Sequence, residues 1–305
     1  MLLSLAFTLA ILALLLGGVR PAKLVAALGQ LSPAVLALGL AASLLVNLLQ
    51  AAELLRRALA VFGQDLSYRR ALIACVRTLT PKMALPGGLG LVVRILYLHR
   101  AARLDLAGVT MSQALIPWFK LAWMLALPLV GHALGAPVPP LALVLVSAGL
   151  AGMLVLSWAA PRTGLLLLEQ AAARWDKLRR LRQTLSTLGQ QRRPGPLAVT
   201  AMHALLSAGL EVLLFYVILV GVMGPVAPVT VLALFPLCAL GSKVPVAFLG
   251  LGAREALVLL LFGPFAPPAQ LLAAALAYSA LGFLLPPLLT APFTWRPGDS
   301  STVQL

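Results

Sequence analysis

The chain has 305 residues, 61% of them hydrophobic and 10% charged, with a net charge of +15 and a mean hydropathy of +1.02. A soluble domain carries about 25% charged residues, so this composition excludes a soluble globular protein and describes an integral membrane protein. The basic residues sit in short loops between apolar runs, which reads as positive-inside topology and attraction to anionic lipid rather than nucleic-acid binding.

In chain order, Leu2–Leu16 is apolar but lacks a basic leader and a small-residue cleavage site before Arg20 and Pro21. It is expected to be a retained first helix rather than a signal peptide. The second span, Pro33–Ala52, closes on Glu53, Arg56 and Arg57. Its Asn47 and Gln50 read as amides that join helices in a membrane. The next stretch, Glu53–Lys82, carries Arg56, Arg57, Arg69, Arg70, Arg77 and Lys82, which marks a cytoplasmic side. Leu85–Arg100 is apolar but broken by Pro86, Gly87, Gly88 and Gly90, with Arg94 one helical turn after Gly90. A broken apolar segment with basic ends predicts a re-entrant hairpin entering from the cytoplasm.

Leu106–Val130 reads as a full span interrupted by Pro117, with Lys120 near its middle. The uncharged loop 131–140 is expected outside, and Leu141–Ala160 returns. In Arg162–Arg193, Trp175, Leu178, Leu181, Leu185 and Leu188 recur at helical spacing among Arg174, Lys177, Arg179, Arg180 and Arg182. That pattern predicts a basic amphipathic helix over residues 165–193, lying on the inner leaflet. Leu197–Val222 is a span with Glu211 in its apolar interior, and Ala269–Pro292 is the last, anchored inside by Trp295 and Arg296. Between them, Gly241–Gly263 places Lys243, Pro245, Gly250, Gly252, Arg254 and Glu255 in an apolar run. Broken backbone beside charge at membrane depth is tolerated only inside protein or along a cavity.

The expected fold is therefore all-α: a single polytopic transmembrane domain over residues 1–305, with about six full spans and two re-entrant hairpins. The two halves, residues 33–130 and 197–292, share the order span, broken hairpin, span. Lys82, Pro86, Gly88-Leu89-Gly90 and Arg94 are echoed by Lys243, Pro245, Gly250-Leu251-Gly252 and Arg254. The charge map puts the first hairpin's mouth inside and the second's outside. Such an inverted repeat places a binding site near the midplane, between the broken helices.

This pattern nominates substrate-binding residues. Arg254 and its counterpart Arg94 suit phosphate, which arginine holds bidentately; the plainer reading is that Arg254 satisfies broken backbone groups and that Arg94 snorkels to the interface. Glu255 lies in the first turn after a break, where the helix dipole favours an acid. As neighbours in sequence, Arg254 and Glu255 diverge on a helix and need not pair. Lys120 and Glu211, opposite charges in two apolar spans, are expected to face the cavity and to meet each other or the cargo. Pro86 and Pro245 shape the hairpins, while Gly87, Gly88, Gly90, Gly250 and Gly252 let the chain turn and backbone N–H groups approach an anion. Cys75, Cys238, His99, His132 and His203 show no disulfide or metal spacing, and no nucleophile–base pair or paired carboxylates stand out. No cofactor and no enzymatic activity are expected.

The run Pro245-Val-Ala-Phe-Leu-Gly-Leu-Gly-Ala-Arg254-Glu255 resembles the pattern P-x-S-x-G-G-L-G-x-R-E of the transmembrane, flippase-like region of the lysylphosphatidylglycerol synthase family. Ala247 replaces the Ser and Leu249 the first Gly. Pro86, Gly87, Gly88 and Arg94 are similar to the family's first-hairpin pattern, and the resemblance covers essentially the whole chain. It departs at Trp123, where an acid is expected after Lys120, and near Tyr278 and Ser279, where family members often carry an Arg. Both departures weaken the expectation of a strongly charged headgroup. The family's aminoacyl-transferring domain is not in this sequence, so lipid lysinylation is not expected. The resemblance implies movement of a lipid or lipid-linked substrate (phospholipid, polyprenyl-phosphate sugar or hopanoid) across the cytoplasmic membrane, with membrane lipids as partners. The alternative is a scaffold or regulatory partner of a glycosyltransferase or lipid-modifying enzyme, docked through residues 162–193.

Overall fold

The computed structural model describes residues 2–85, 89–172, 194–241 and 251–294. Among them there is helix and no strand. Helices α1 (Leu2–Gly17) and α2 (Pro21–Gly29) lead into a long first span. That span is α3 (Pro33–Leu44), a π-helical stretch (Leu45–Gln50) and α4 (Ala51–Val61). Then follow the short α5 (Tyr68–Ala84) and α6 (Leu89–Arg100), the long α7 (Leu106–Ala133) and α8 (Pro140–Ala172). The second half repeats the order long, short, short, long. It contains α9 (Pro194–Met223), α10 (Pro228–Gly241), α11 (Ala253–Phe262), and α12 (Pro268–Ser279) continued by a second π-helical stretch (Ala280–Leu284) and α13 (Leu285–Thr290).

Simple chemistry starts these helices. Each of α2, α3, α8, α9, α10 and α12 begins at a proline, whose missing N–H costs nothing at a first helical position and whose φ suits it. Ser32, Ser67 and Asp105 cap α3, α5 and α7 by accepting the N–H of Val35, Arg70 and Gly108 at 3.3, 3.4 and 2.8 Å, which satisfies donors that a helix start leaves open.

Among the described residues, four helical stretches are long and apolar enough to cross a membrane: Pro33–Val61, Leu106–Ala133, Gly195–Met223 and Pro268–Phe293. Large apolar side chains face outward along them and along α8, among them Leu38, Leu141, Val144, Leu154 and Leu288. A soluble monomer rarely exposes so much apolar surface in one piece, and a bilayer accounts for it. The protein is a multi-pass membrane protein. The amphipathic helix expected over residues 165–193 falls partly on α8, which runs unbroken to Ala172, while residues 173–193 lie outside the described residues.

Packing sorts the loops into two ends. At one end, Gln64 Oε1 accepts the N–H of Asp105 at 3.1 Å, and Leu66, Ala71 and Ala101 share a core cluster. Arg56, Arg57, Arg69, Arg70, Arg100 and Arg103 belong to this end. At the other end, Val19, Leu24, Ala136, Val138, Val222, Val231 and Ala269 pack together. Of the loops there, 134–139, 224–227 and 263–267 carry no ionisable residue, while the α1–α2 turn brings Arg20 and Lys23.

Small residues bring the long helices close. A Cβ built on Gly131 of α7 would stand 2.5 Å from the Ala233 Cβ of α10, the close approach that membrane helices use in place of a hydrophobic drive. The two π-helical stretches also meet. Asn47 Nδ2 donates to the Gly282 carbonyl at 3.2 Å, and Gln50 Nε2 to the His203 carbonyl at 2.8 Å. The amides thus join helices, as expected for polar groups in apolar surroundings. An aromatic cluster fills the middle of the second half: Phe215 stacks on Phe235 at 4.3 Å, and Tyr278 meets both edge-on at 5.6 and 5.1 Å.

Candidate functional site

The two short-helix pairs hold the two arginines singled out by the sequence. In the first pair, α5 and α6 run antiparallel and close. A Cβ on Gly90 would fall 2.4 Å from the Pro81 carbonyl and the Lys82 Cα, so only glycine allows this approach. One turn further along, Arg94 is 3% exposed. Its Nε donates to Thr78 Oγ1 at 2.9 Å, and its Nη2 is buried with no hydrogen-bond partner among the described residues. Arg94 therefore does not snorkel to an interface. Thr78, fully buried, also donates to the Ala74 carbonyl at 2.6 Å.

The second pair is built around Gly252, which has φ +88° and precedes α11. Its N–H donates to Glu255 Oε2 at 2.5 Å. The Glu255 side chain thus closes the start of its own helix, where an acid also meets the positive end of the dipole. Glu255 is fully buried and accepts from Ser279 Oγ as well. Arg254 is 1% exposed. Its Nη2 donates to Ser279 Oγ at 2.5 Å and to Glu255 Oε1 at 3.2 Å. Adjacent residues diverge on a helix, yet the arginine side chain is long enough to fold back onto the carboxylate, and Ser279 bridges the two. The guanidinium lies 4.5 Å from the Phe283 ring centroid and 5.1 Å from that of Tyr278, a cation–π cradle. Its Nε and Nη1 remain without hydrogen-bond partners among the described residues.

Lys120 of α7 and Glu211 of α9 form a direct ion pair, with about a quarter and a fifth of each side chain exposed. Trp123, one turn after Lys120, donates its indole N–H to the Ala201 carbonyl at 2.8 Å, tying α7 to α9 at the position where the family pattern leads one to expect an acid. Pro86, Gly87, Gly88, Pro245 and Gly250 lie outside the described residues.

Sequence reasoning missed Thr78, Ser279, Tyr278 and Phe283 as partners of the arginines. In the sequence, Tyr278 and Ser279 stand only at the place of a missing Arg. The structure shows them holding Arg254.

The family model described as the lysylphosphatidylglycerol synthase TM region matches residues 1–289. The chain belongs to this family. No curated protein matches it in direct sequence comparison. In this member of the lysylphosphatidylglycerol synthase TM family, the described residues of the second-hairpin pattern, Gly252, Arg254 and Glu255, act together in one buried network. The pattern therefore has a structural reason: the glycine supplies a backbone conformation closed to other residues, the acid caps the helix that follows, and the arginine rests on the acid.

Proposed function

We propose that the protein carries a lipid or lipid-linked substrate across the cytoplasmic membrane, and that it acts as a transporter rather than an enzyme. The observation that carries this reading is a pair of arginines, Arg94 and Arg254, each almost fully buried beside a glycine break and each with guanidinium nitrogens that have no hydrogen-bond partner among the described residues. Partner-free donors on a buried cation are costly in an apolar surrounding. An anionic headgroup relieves that cost, and arginine is suited to phosphate.

In this reading α5–α6 and α10–α11 are re-entrant hairpins in an inverted repeat. The common order of elements in the two halves supports it, as do the α4–α5 and α6–α7 loops at the strongly basic end and the α9–α10 and α11–α12 loops, free of ionisable residues, at the other. The basic end faces the cytoplasm by the positive-inside rule. The headgroup passes between the hairpins while the acyl chains stay in the bilayer, and the Lys120–Glu211 pair opens and closes beside the path.

The alternative, a non-transporting partner of a glycosyltransferase or lipid-modifying enzyme, draws support from the Glu255–Ser279 clasp on Arg254, which a purely structural role also explains. Vesicles holding the purified protein and a headgroup-labelled lipid, probed with an impermeant reagent, decide between them. The transport reading expects exposure of inner-leaflet label in wild type and much less in Arg254→Ala. Failure to move any phospholipid or polyprenyl-phosphate sugar leaves the partner reading.

A further inference from the structure

Lys120 and Glu211 stand near the middle of α7 and α9, yet each keeps part of its side chain exposed. The pair thus differs from Arg254–Glu255, which is sealed. Charge that stays accessible at mid-span faces the bundle interior or a water-filled cavity, and marks a path for ions or protons. The pair also joins the two halves, since α7 closes the first and α9 opens the second. A second ionic contact does the same nearer the basic end: His203 Nε2 of α9 lies 3.9 Å from Glu53 Oε1 of α4. His203 Nδ1 is 2.9 Å from the Val199 carbonyl. A carbonyl only accepts, so Nδ1 carries the hydrogen and Nε2 is the nitrogen that takes a further proton. Between the two contacts stands Ser207, buried. His203, Ser207 and Glu211 follow one another at intervals of four residues, which lines them up on one face of α9.

From this arrangement we infer that Glu211 is a proton site: its carboxylate takes a proton when the pair with Lys120 opens, and His203 and Ser207 lead that proton to and from the basic end. The inference rests on the transport reading and deepens it by giving crossing an energy source, a proton gradient. The step is a plain protonation. A proton from water joins the Glu211 carboxylate and makes a neutral carboxyl. Lys120 keeps its ammonium charge but loses its counter-ion, and the clasp between α7 and α9 lets go. Departure of the proton restores the carboxylate and the clasp. The charged and titratable groups around this stripe come from three neighbouring helices. They are Lys120 of α7, Glu53, Arg56 and Arg57 of α4, and Tyr278 of α12, whose ring meets Phe215 one turn beyond Glu211. α3 and the π-helical stretch after it, which also pack on α9, bring none, and α10 brings the buried thiol of Cys238. Arg56 donates to Glu53 at 2.9 and 2.7 Å and Arg57 at 2.6 Å, which fixes that carboxylate beside His203.

Two measurements on the purified full chain test this. The first is the infrared difference spectrum of the protein in lipid films between acidic and alkaline buffer. Wild type is expected to show a protonated-carboxyl band that is lost in Glu211→Gln. Should that variant fail to fold, Glu211→Asp keeps a carboxyl in a new position and is expected to shift the band. No such band in wild type, or a band that neither variant alters, overturns the proton site whatever the lipid does. The second measurement uses vesicles with a trace of headgroup-labelled phosphatidylglycerol, an imposed pH gradient, the electrical potential clamped at zero, and an impermeant reagent to count label in each leaflet. With one proton moved per lipid, the label becomes unequal between leaflets by up to about tenfold for each pH unit, and a protonophore abolishes the inequality. Glu211→Gln loses the inequality, His203→Gln and Ser207→Ala approach it more slowly, and Lys23→Gln matches wild type. Equal leaflets in wild type despite crossing overturn the coupling and spare transport. No crossing at all, with the band present, sinks transport and keeps the proton site.

Discussion

The Arg254–Glu255 pair offers a sharp test of how the start of α11 is held. Both side chains are essentially removed from solvent, so no discount for screening applies. Glu255→Gln keeps the shape and one acceptor for the Gly252 N–H but leaves the guanidinium uncompensated, with Nε and Nη1 already without partners among the described residues. Breaking a buried pair this way costs about 3 kcal/mol. Arg254→Met costs less, about 2 kcal/mol, because the remaining carboxylate still has the Gly252 N–H, the Ser279 hydroxyl and a helix start to stabilise it. The double variant removes both charges and is expected to cost about 2 kcal/mol in total, so the coupling energy is about −3 kcal/mol. The assay is reversible unfolding in mixed micelles of rising SDS content, followed by circular dichroism. Additive single costs, or a silent Glu255→Gln, refute the claim that this acid serves to balance this arginine.

Other expectations follow the same logic. Lys120→Met and Glu211→Gln each leave a partly exposed charge behind and should destabilise by about 1–2 kcal/mol, measured by the same unfolding titration. Each should also slow lipid crossing, with the exchanged pair Lys120→Glu/Glu211→Lys recovering part of it; intact transport in both singles removes the pair from the mechanism. Gly252→Ala forces φ +88° on an L side chain and sets its Cβ 3.1 Å from Ile11, so it should cost about 1–3 kcal/mol. Gly90→Ala should cost a similar amount, about 1–3 kcal/mol, by pushing α6 away from the α5 backbone. Gly209→Ala, with nothing within 4 Å of its Cβ, serves as the control that leaves the unfolding midpoint in place.

Much of the architecture is legible in the sequence because a bilayer imposes long apolar runs and leaves charge in the loops. The spans around α3–α4, α7, α9 and α12–α13 follow from that constraint, and prolines mark the starts of several helices. The start of α5 is harder to see. Arg69, Arg70 and Arg77 make residues 68–84 look like a polar linker, yet Ala71, Ala74, Cys75, Thr78 and Leu79 form one buried stripe. The π-helical stretches have no local signature, since they arise where Asn47 reaches across to Gly282. Arg94, Arg254, Lys120, Glu211 and Glu255 stand out because charge in an apolar run is expensive. Their partners Thr78 and Ser279 do not, because a lone hydroxyl in a membrane helix commonly bonds its own helix backbone. Both do so here, and it takes the fold to show that each also meets an arginine.

The account's central claim is that buried hairpin arginines pass a phosphate-bearing headgroup across the bilayer. The most direct measurement is the initial rate at which inner-leaflet, headgroup-labelled phosphatidylglycerol becomes reachable by an impermeant reagent, in vesicles holding wild type or the Arg94→Gln/Arg254→Gln double variant at equal, verified incorporation. The account predicts a wild-type rate well above protein-free vesicles and a double-variant rate close to them. Equal rates for wild type and the double variant would contradict it.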